Sequence, residues 1–211
     1  FVAAAVERIG RRPVHHVPLA LPVPRCDPRV TRDTTQLPAG FVFLFTFDFF
    51  SILERKNPLA VIHPFRRAFE PGEGPSLVIK TINGHKCVAD LERLRAAGAD
   101  RPDIRLVGGY YTAEEKNPLI RVCDCYVSLH RSEGLGLTIA EAMALERPVI
   151  ATGYSGNLDF MTPENSYLVD YGYASVPRGC GPYAEGSRWA EPDVEQAAEL
   201  MRRVVEHPRE A

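Results

Sequence analysis

Several marks of common protein classes are missing from this 211-residue sequence. Its longest apolar stretches, such as Phe41 to Phe47 and Val122 to Leu129, fall far short of the ~20 residues that cross a bilayer. No secretory apolar region opens the chain, so a cytoplasmic protein is expected. The five cysteines are an odd number and form no Cys-x-x-Cys pair, which fits neither a disulfide framework nor a zinc knuckle. With 25 basic and 27 acidic residues the net charge is −2, so no global basic field exists to draw nucleic acid. There is no Asp-x-Asp to hold a diphosphate through a metal, no Gly-x-Gly-x-x-Gly after the first strand for a dinucleotide, and no Walker A sequence. Neither a metal nor a resident cofactor is expected. The only methionines are Met143, Met161 and Met201, so the chain is expected to be part of a longer one.

What is present reads as alternating strands and helices. Phe1 to Ile9 has helical apolar spacing and stops at Gly10, as the last helix of a preceding domain would. Residues 10–40, broken by Pro13, Pro18, Pro22, Pro24 and Pro28, read as an extended interdomain connector. From Phe41 onward, short apolar runs at Phe41 to Phe47, Ser76 to Ile82, Ile104 to Val107, Cys125 to His130, Pro148 to Thr152 and Ser166 to Val169 predict strands. Helical spacing predicts helices over Pro58 to Phe69, His85 to Ala97, Ala113 to Val122 and Leu137 to Leu145, a short one near Leu158, and a terminal one from Pro192 and Asp193. Pro64 should kink the first of these around Ala60. Strands apolar on both faces and separated by helices predict a doubly wound, parallel α/β domain over 41–211. The Gly-, Pro- and Tyr-rich stretch between Tyr171 and Glu191 reads as a long loop.

Ligands of open α/β sheets sit beyond the carboxyl ends of the strands. Those ends are polar here: Asp48 and Ser51, then Lys80, Gly109 and Tyr110, His130 to Gly134, and Thr152 to Asn157. The segment Glu133-Gly-Leu-Gly-Leu-Thr-Ile-Ala-Glu141 reads as a strand-loop-helix junction. In it Gly134, Leu135 and Gly136 form the approach, and the amides of Leu137 and Thr138 form a phosphate seat at a helix start. Glu141, one turn in, is placed to accept from ribose hydroxyls, and Glu133 to reach a sugar beyond the diphosphate. A glycine-initiated helix with acids suited to its dipole has the same spacing. Lysine is scarce, with only Lys56, Lys80, Lys86 and Lys116. Lys80 falls inside an apolar strand, where an ammonium must face an anion or leave the sheet. Lys56 precedes Asn57-Pro58, a candidate helix cap and first-turn pair. His130 ends a strand beside Arg131 and Glu133, where binding or structure suits it better than catalysis.

Taken in order, these blocks resemble a known family. The eight-residue separation of Glu133 and Glu141 matches the Glu-x7-Glu motif of retaining GT-B glycosyltransferases of family four, group 1 type. The blocks Phe47 to Ser51, Glu54 to Pro58, Val78 to Lys80, Cys125 to Gly134 and Pro148 to Asn157 are similar to successive parts of its Rossmann-like, donor-binding C-terminal domain. The resemblance implies that residues 1–40 are the tail of an N-terminal acceptor domain plus a linker, and that 41–211 bind a nucleoside-diphosphate sugar. It implies that Glu141 holds the ribose, that Glu133 lies by the donor sugar with Lys56 at the diphosphate, and that Gly109 and Tyr110 meet the base. The implied reaction is transfer of the glycosyl group, with retention and without metal, to a sugar, lipid or protein acceptor, and this part alone is expected to be inactive. A sugar-nucleotide epimerase of the same architecture, or a nucleotide-binding fragment without turnover, would use the same features.

Overall fold

The computed structural model describes residues 2–10, 13–21, 23–27, 29–35 and 37–208. Phe1, Pro22 and Pro28, which the sequence reading uses, lie outside them. The helix α1 covers Val2–Ile9 and a four-residue helix α2 covers Arg32–Thr35, so the connector is not extended throughout. Six strands, β1 (Val42–Asp48), β2 (Ser76–Ile82), β3 (Ile104–Val107), β4 (Cys125–Ser128), β5 (Val149–Thr152) and β6 (Tyr167–Val169), form one sheet in the order β3-β2-β1-β4-β5-β6. Every pairing in it is parallel.

Side chains alternate across each strand, and both faces are buried. From β1, Phe43, Phe45 and Phe47 join Leu77 and Ile79 of β2 in a core under α4 (Leu59–Ala68), α5 (Val88–Gly98) and the terminal helix α8 (Val194–Glu206). Val42, Leu44 and Val78 face the opposite core with Tyr126, under α6 (Ala113–Val122) and α7 (Leu137–Ala144). Helix α4 runs on through Pro64, because the buried Ile62, Pro64 and Phe65 hold it against the sheet even though one amide is missing.

Two other expectations are corrected. The stretch from Tyr171 to Glu191 is not a loop throughout: β7 (Tyr171–Ser175) pairs antiparallel with β8 (Arg188–Pro192) as a hairpin. Pro192 therefore ends a strand instead of opening α8. Asp193 caps that helix, its carboxylate accepting from the amides of Glu195 (2.9 Å) and Gln196 (3.1 Å). Among the described residues no helix is long and apolar enough to cross a membrane.

Candidate functional site

The chain order reverses between β1 and β4: β2 and β3 build outward on one side of β1, β4 to β6 on the other. Such a switch point opens a crevice beyond the strand ends. Here it opens early, because β1 pairs with β2 over its whole length but with β4 only at Phe43 and Leu44. The side chain of Tyr126 fills the bottom of the gap, its hydroxyl 2.9 Å from Thr46 Oγ1, and burial pushes that phenol's pKa up. Above it lies a cleft of about 500 Å³ lined by Thr46, Asp48, Ser51, Lys56, Lys80, Tyr111, Lys116 and the loop Glu133 to Thr138, with Leu19 of the connector at its edge.

Lys56 reaches this cleft by a route the sequence did not suggest. A short helix α3 (Leu53–Lys56) stands between two residues of positive φ, Ile52 at 68° and Asn57 at 54°. Asn57 terminates α3, its amide bonding Leu53 O at 2.7 Å, and its side chain donates to Leu129 O at 3.1 Å. Its side chain caps nothing at the start of α4, where only its carbonyl accepts, from the Ala60 amide at 3.1 Å, and Lys56 sits at a helix carboxyl end, where the dipole favours a cation. Its ammonium pairs with Glu133 Oε1, and Arg55 Nη1 approaches Glu133 Oε2 at 3.4 Å. The Glu133 side chain is only 9% exposed, so the pair is enclosed and each charge depends on the other.

The loop that carries Glu133 is fixed from behind. Its amide donates to Ser155 Oγ at 2.8 Å, and the Gly156 amide donates to its carbonyl at 3.1 Å. Gly156 is needed for this close approach: a Cβ there would stand 2.0 Å from Gly134 O. Beyond Gly134 and Leu135 the chain turns through Gly136, at φ +85°, into α7, whose first turn has no side-chain cap. Its first amides, from Leu137 and Thr138, border the cleft and suit an anion.

Lys80 lies on the other wall and is 3% exposed. Its ammonium donates to Thr81 O (3.1 Å) and to Gly109 O, and stands 3.9 Å from the centre of the Tyr111 ring. Burial holds its pKa below the usual lysine value. The required partners are thus carbonyls and a ring. Lys116 pairs with Glu141 Oε2 at 2.5 Å, at the rim, with side chains 25% and 26% exposed.

The expected site residues separate into four groups. Glu133, Lys56, Lys80, Asp48, Gly134, Leu135, Gly136, Leu137 and Thr138 line one cleft. Glu141 touches it through Lys116. Gly109 and Tyr110 line a neighbouring, smaller cavity that shares Ile82 with the cleft and is joined to it by the bond from Lys80 to Gly109 O. His130 does not border the cleft: it is fully buried, with Nδ1 3.1 Å from Ser128 Oγ and Nε2 near Tyr154 O (3.2 Å) and Asn157 Oδ1 (3.1 Å). Burial lowers its pKa, which keeps the ring neutral and structural. Asp48 is partly committed too, accepting from the Phe50 amide and from Asn83 Nδ2 at 2.8 Å. Arg55, Tyr111 and Lys116 were not among the expected site residues. Arg55 stands out only as a cation beside Lys56, Lys116 only as one of the four lysines, and Tyr111 follows the glycine pair after β3. Among the described residues no group of three or more His, Cys, Asp or Glu could hold a metal ion.

Residues 66–175, a little over half of the chain, match the family model of glycosyl transferases group 1. Similar solved structures include Anabaena HepE in complex with UDP and glucose (TM-score 0.62, 16% identity, covering 85% of this chain and 42% of that one). Another is sucrose-phosphate synthase from Thermosynechococcus elongatus (0.64, 21%, 85% and 40%). A third is the C-terminal domain of LpcC, a glycosyl transferase group 1 family protein from Francisella tularensis (0.59, 20%, 84% and 82%). The chain thus spans well under half of the first two and most of the third. No curated protein matches the sequence. At these identities the likeness shows the fold, a Rossmann-like sheet as in GT-B glycosyltransferases. The match over residues 66–175 shows more: the chain belongs to the glycosyl transferases group 1 family.

Proposed function

We propose that residues 41–211 bind a nucleoside-diphosphate sugar in this cleft, and that the protein transfers its glycosyl group to an acceptor with retention and without a metal. The observation that carries the reading is the meeting of three lysines, the uncapped start of α7 and Glu133 on one switch-point cleft, with Glu141 held at its rim by one of those lysines. Cleaving a sugar-phosphate bond leaves charge on the nucleoside diphosphate, and cations with oriented amides stabilise that charge where water is excluded. A bound diphosphate competes with Glu133 for Lys56 and Arg55, which releases the carboxylate towards the sugar. Glu141, one turn into α7, accepts from the ribose hydroxyls in this reading. Retention rests on the resemblance to the retaining family, and the acceptor half belongs to a preceding domain for which 1–40 are tail and linker, so the chain alone should bind donor without transferring it.

The test is calorimetric titration with UDP, the nucleotide bound by HepE, alongside other nucleoside diphosphates, with and without excess chelator. Binding should survive chelation and weaken as salt rises, as charge-assisted contacts do. Loss of binding on chelation would contradict metal independence. Absence of binding to every nucleoside diphosphate would overturn the reading.

A further inference from the structure

The hairpin of β7 and β8 makes no pairing with the main sheet, and its second strand lies beyond the family match at 66–175. It carries a small core of its own: Val176, Cys180 and Trp189 are buried together, and Ala174, Tyr183 and Ile52 pack against them. Ile52 is the one member from outside the hairpin and its loop. It is also the β-branched residue at φ 68° that turns the chain into α3, a conformation such residues avoid unless their surroundings impose it. Four residues of helix have no stability of their own, so α3 needs external support.

Arg131 supplies the second connection. Its Nε and Nη2 donate to the two carboxylate oxygens of Glu191 at 2.6 and 2.8 Å, and its guanidinium lies 5.6 Å from the Trp189 ring centre. Its Nη1 donates to Glu54 O at 2.7 Å, and its backbone amide donates to Arg55 O at 2.8 Å. The Ala190 amide in turn donates to Arg131 O at 3.0 Å. One arginine therefore ties β8 to the carbonyls at the end of α3, two residues before Glu133. A bidentate fork fixes direction as well as distance.

We infer that the hairpin is a positioning element of the site: Glu191 and Trp189 hold Arg131 and Ile52, and these set α3 so that Lys56 and Arg55 meet Glu133. The part of this inference that concerns nucleotide rests on the reading above, whereas the part that concerns α3 does not. Glu191 is partly exposed, so Glu191→Gln removes the charge without emptying a core. Trp189→Ala removes the ring, and Trp189→Phe restores an aromatic face.

Hydrogen exchange on the 211-residue chain reads α3 directly. The Lys56 and Asn57 amides, bonded to Ile52 O and Leu53 O, should exchange about tenfold faster in Glu191→Gln and Trp189→Ala. Trp189→Phe should stay near the wild type, and the amides of β1 and β2 should not change. UDP affinity should fall about fivefold in Glu191→Gln but not further when that change is added to Lys56→Ala, since coupled residues are not additive. Unchanged exchange at Lys56 and Asn57 would overturn the inference whatever UDP does. Faster exchange with equal UDP losses in both backgrounds would break the link to Lys56. Absence of binding to every nucleoside diphosphate by the wild type would defeat the functional reading and leave the exchange result to decide the role of the hairpin.

Discussion

Glu133 and Glu141 both meet a lysine, yet they are built differently. Glu133 is enclosed, holds two cations, and sits on a loop between residues of unusual backbone geometry, with Ser155 at φ 76° behind it and Ile52 at φ 68° leading to its partners. Glu141 sits on a regular helix, meets one lysine from another regular helix, and is a quarter exposed. Regular helices place a side chain at little cost. A cluster of three charges below the surface needs strained turns, and those persist only where packing over-determines them.

The contrast can be broken most severely at Gly156. Gly156→Ala forces its Cβ against Gly134 O, and the loop must move, so unfolding in urea should show a loss above about 2 kcal/mol. No substitution on the Glu141 side should approach this. Next, Lys56→Ala leaves Glu133 with Arg55 alone and should cost about 1.5 to 3 kcal/mol, the range for a hydrogen bond to a charged group. Adding Glu133→Gln should recover part of that in the same assay, because it removes the stranded charge.

Acid should separate the two sides as well. His130 is buried on the Glu133 side with its pKa lowered by desolvation, so the unfolded chain takes up a proton more readily than the folded one. The stability this neutral ring provides is complete above the unfolded value near 6.5 and declines as pH falls below it. His130→Asn should flatten that decline in urea midpoints between roughly pH 7 and 5. The smallest effect belongs to Lys116→Met, which removes a rim pair and should shift stability by less than ~1 kcal/mol in urea.

The sheet was largely legible because its period is simple. Ser76–Ile82 and Ile104–Val107 match the expected runs, and the apolar spacing placed α4, α5, α6 and α7, though not the short α3. The hairpin escaped because β7 is short and mostly exposed with Gly172 inside it, while β8 is short, buries Trp189 and Ala190 side by side and ends in Pro192, so neither strand shows alternation. At the site, glycines and acids at a strand end identified the cleft wall from Glu133 to Thr138. The orientation of Lys56 was not legible, since Asn-Pro after a lysine suits a helix start as well as the left-handed stop that Asn57 makes. His130 stayed open between binding and structure for a related reason: a polar residue at a strand end either faces ligand or closes a buried network, and only the positions of Ser128, Tyr154 and Asn157 decide which.

The central claim is that the two glutamates divide the donor between them, and UDP titrations of Glu141→Gln and Glu133→Gln test it most directly. Replacing an ionised acceptor by a neutral amide at the ribose should weaken UDP about tenfold in Glu141→Gln. Glu133→Gln frees Lys56 and Arg55 for the diphosphate, so UDP should bind at least as tightly as to the wild type, while use of the intact nucleotide-sugar is impaired. Equal small losses in both variants, or a tenfold loss of UDP in Glu133→Gln with none in Glu141→Gln, would contradict the account.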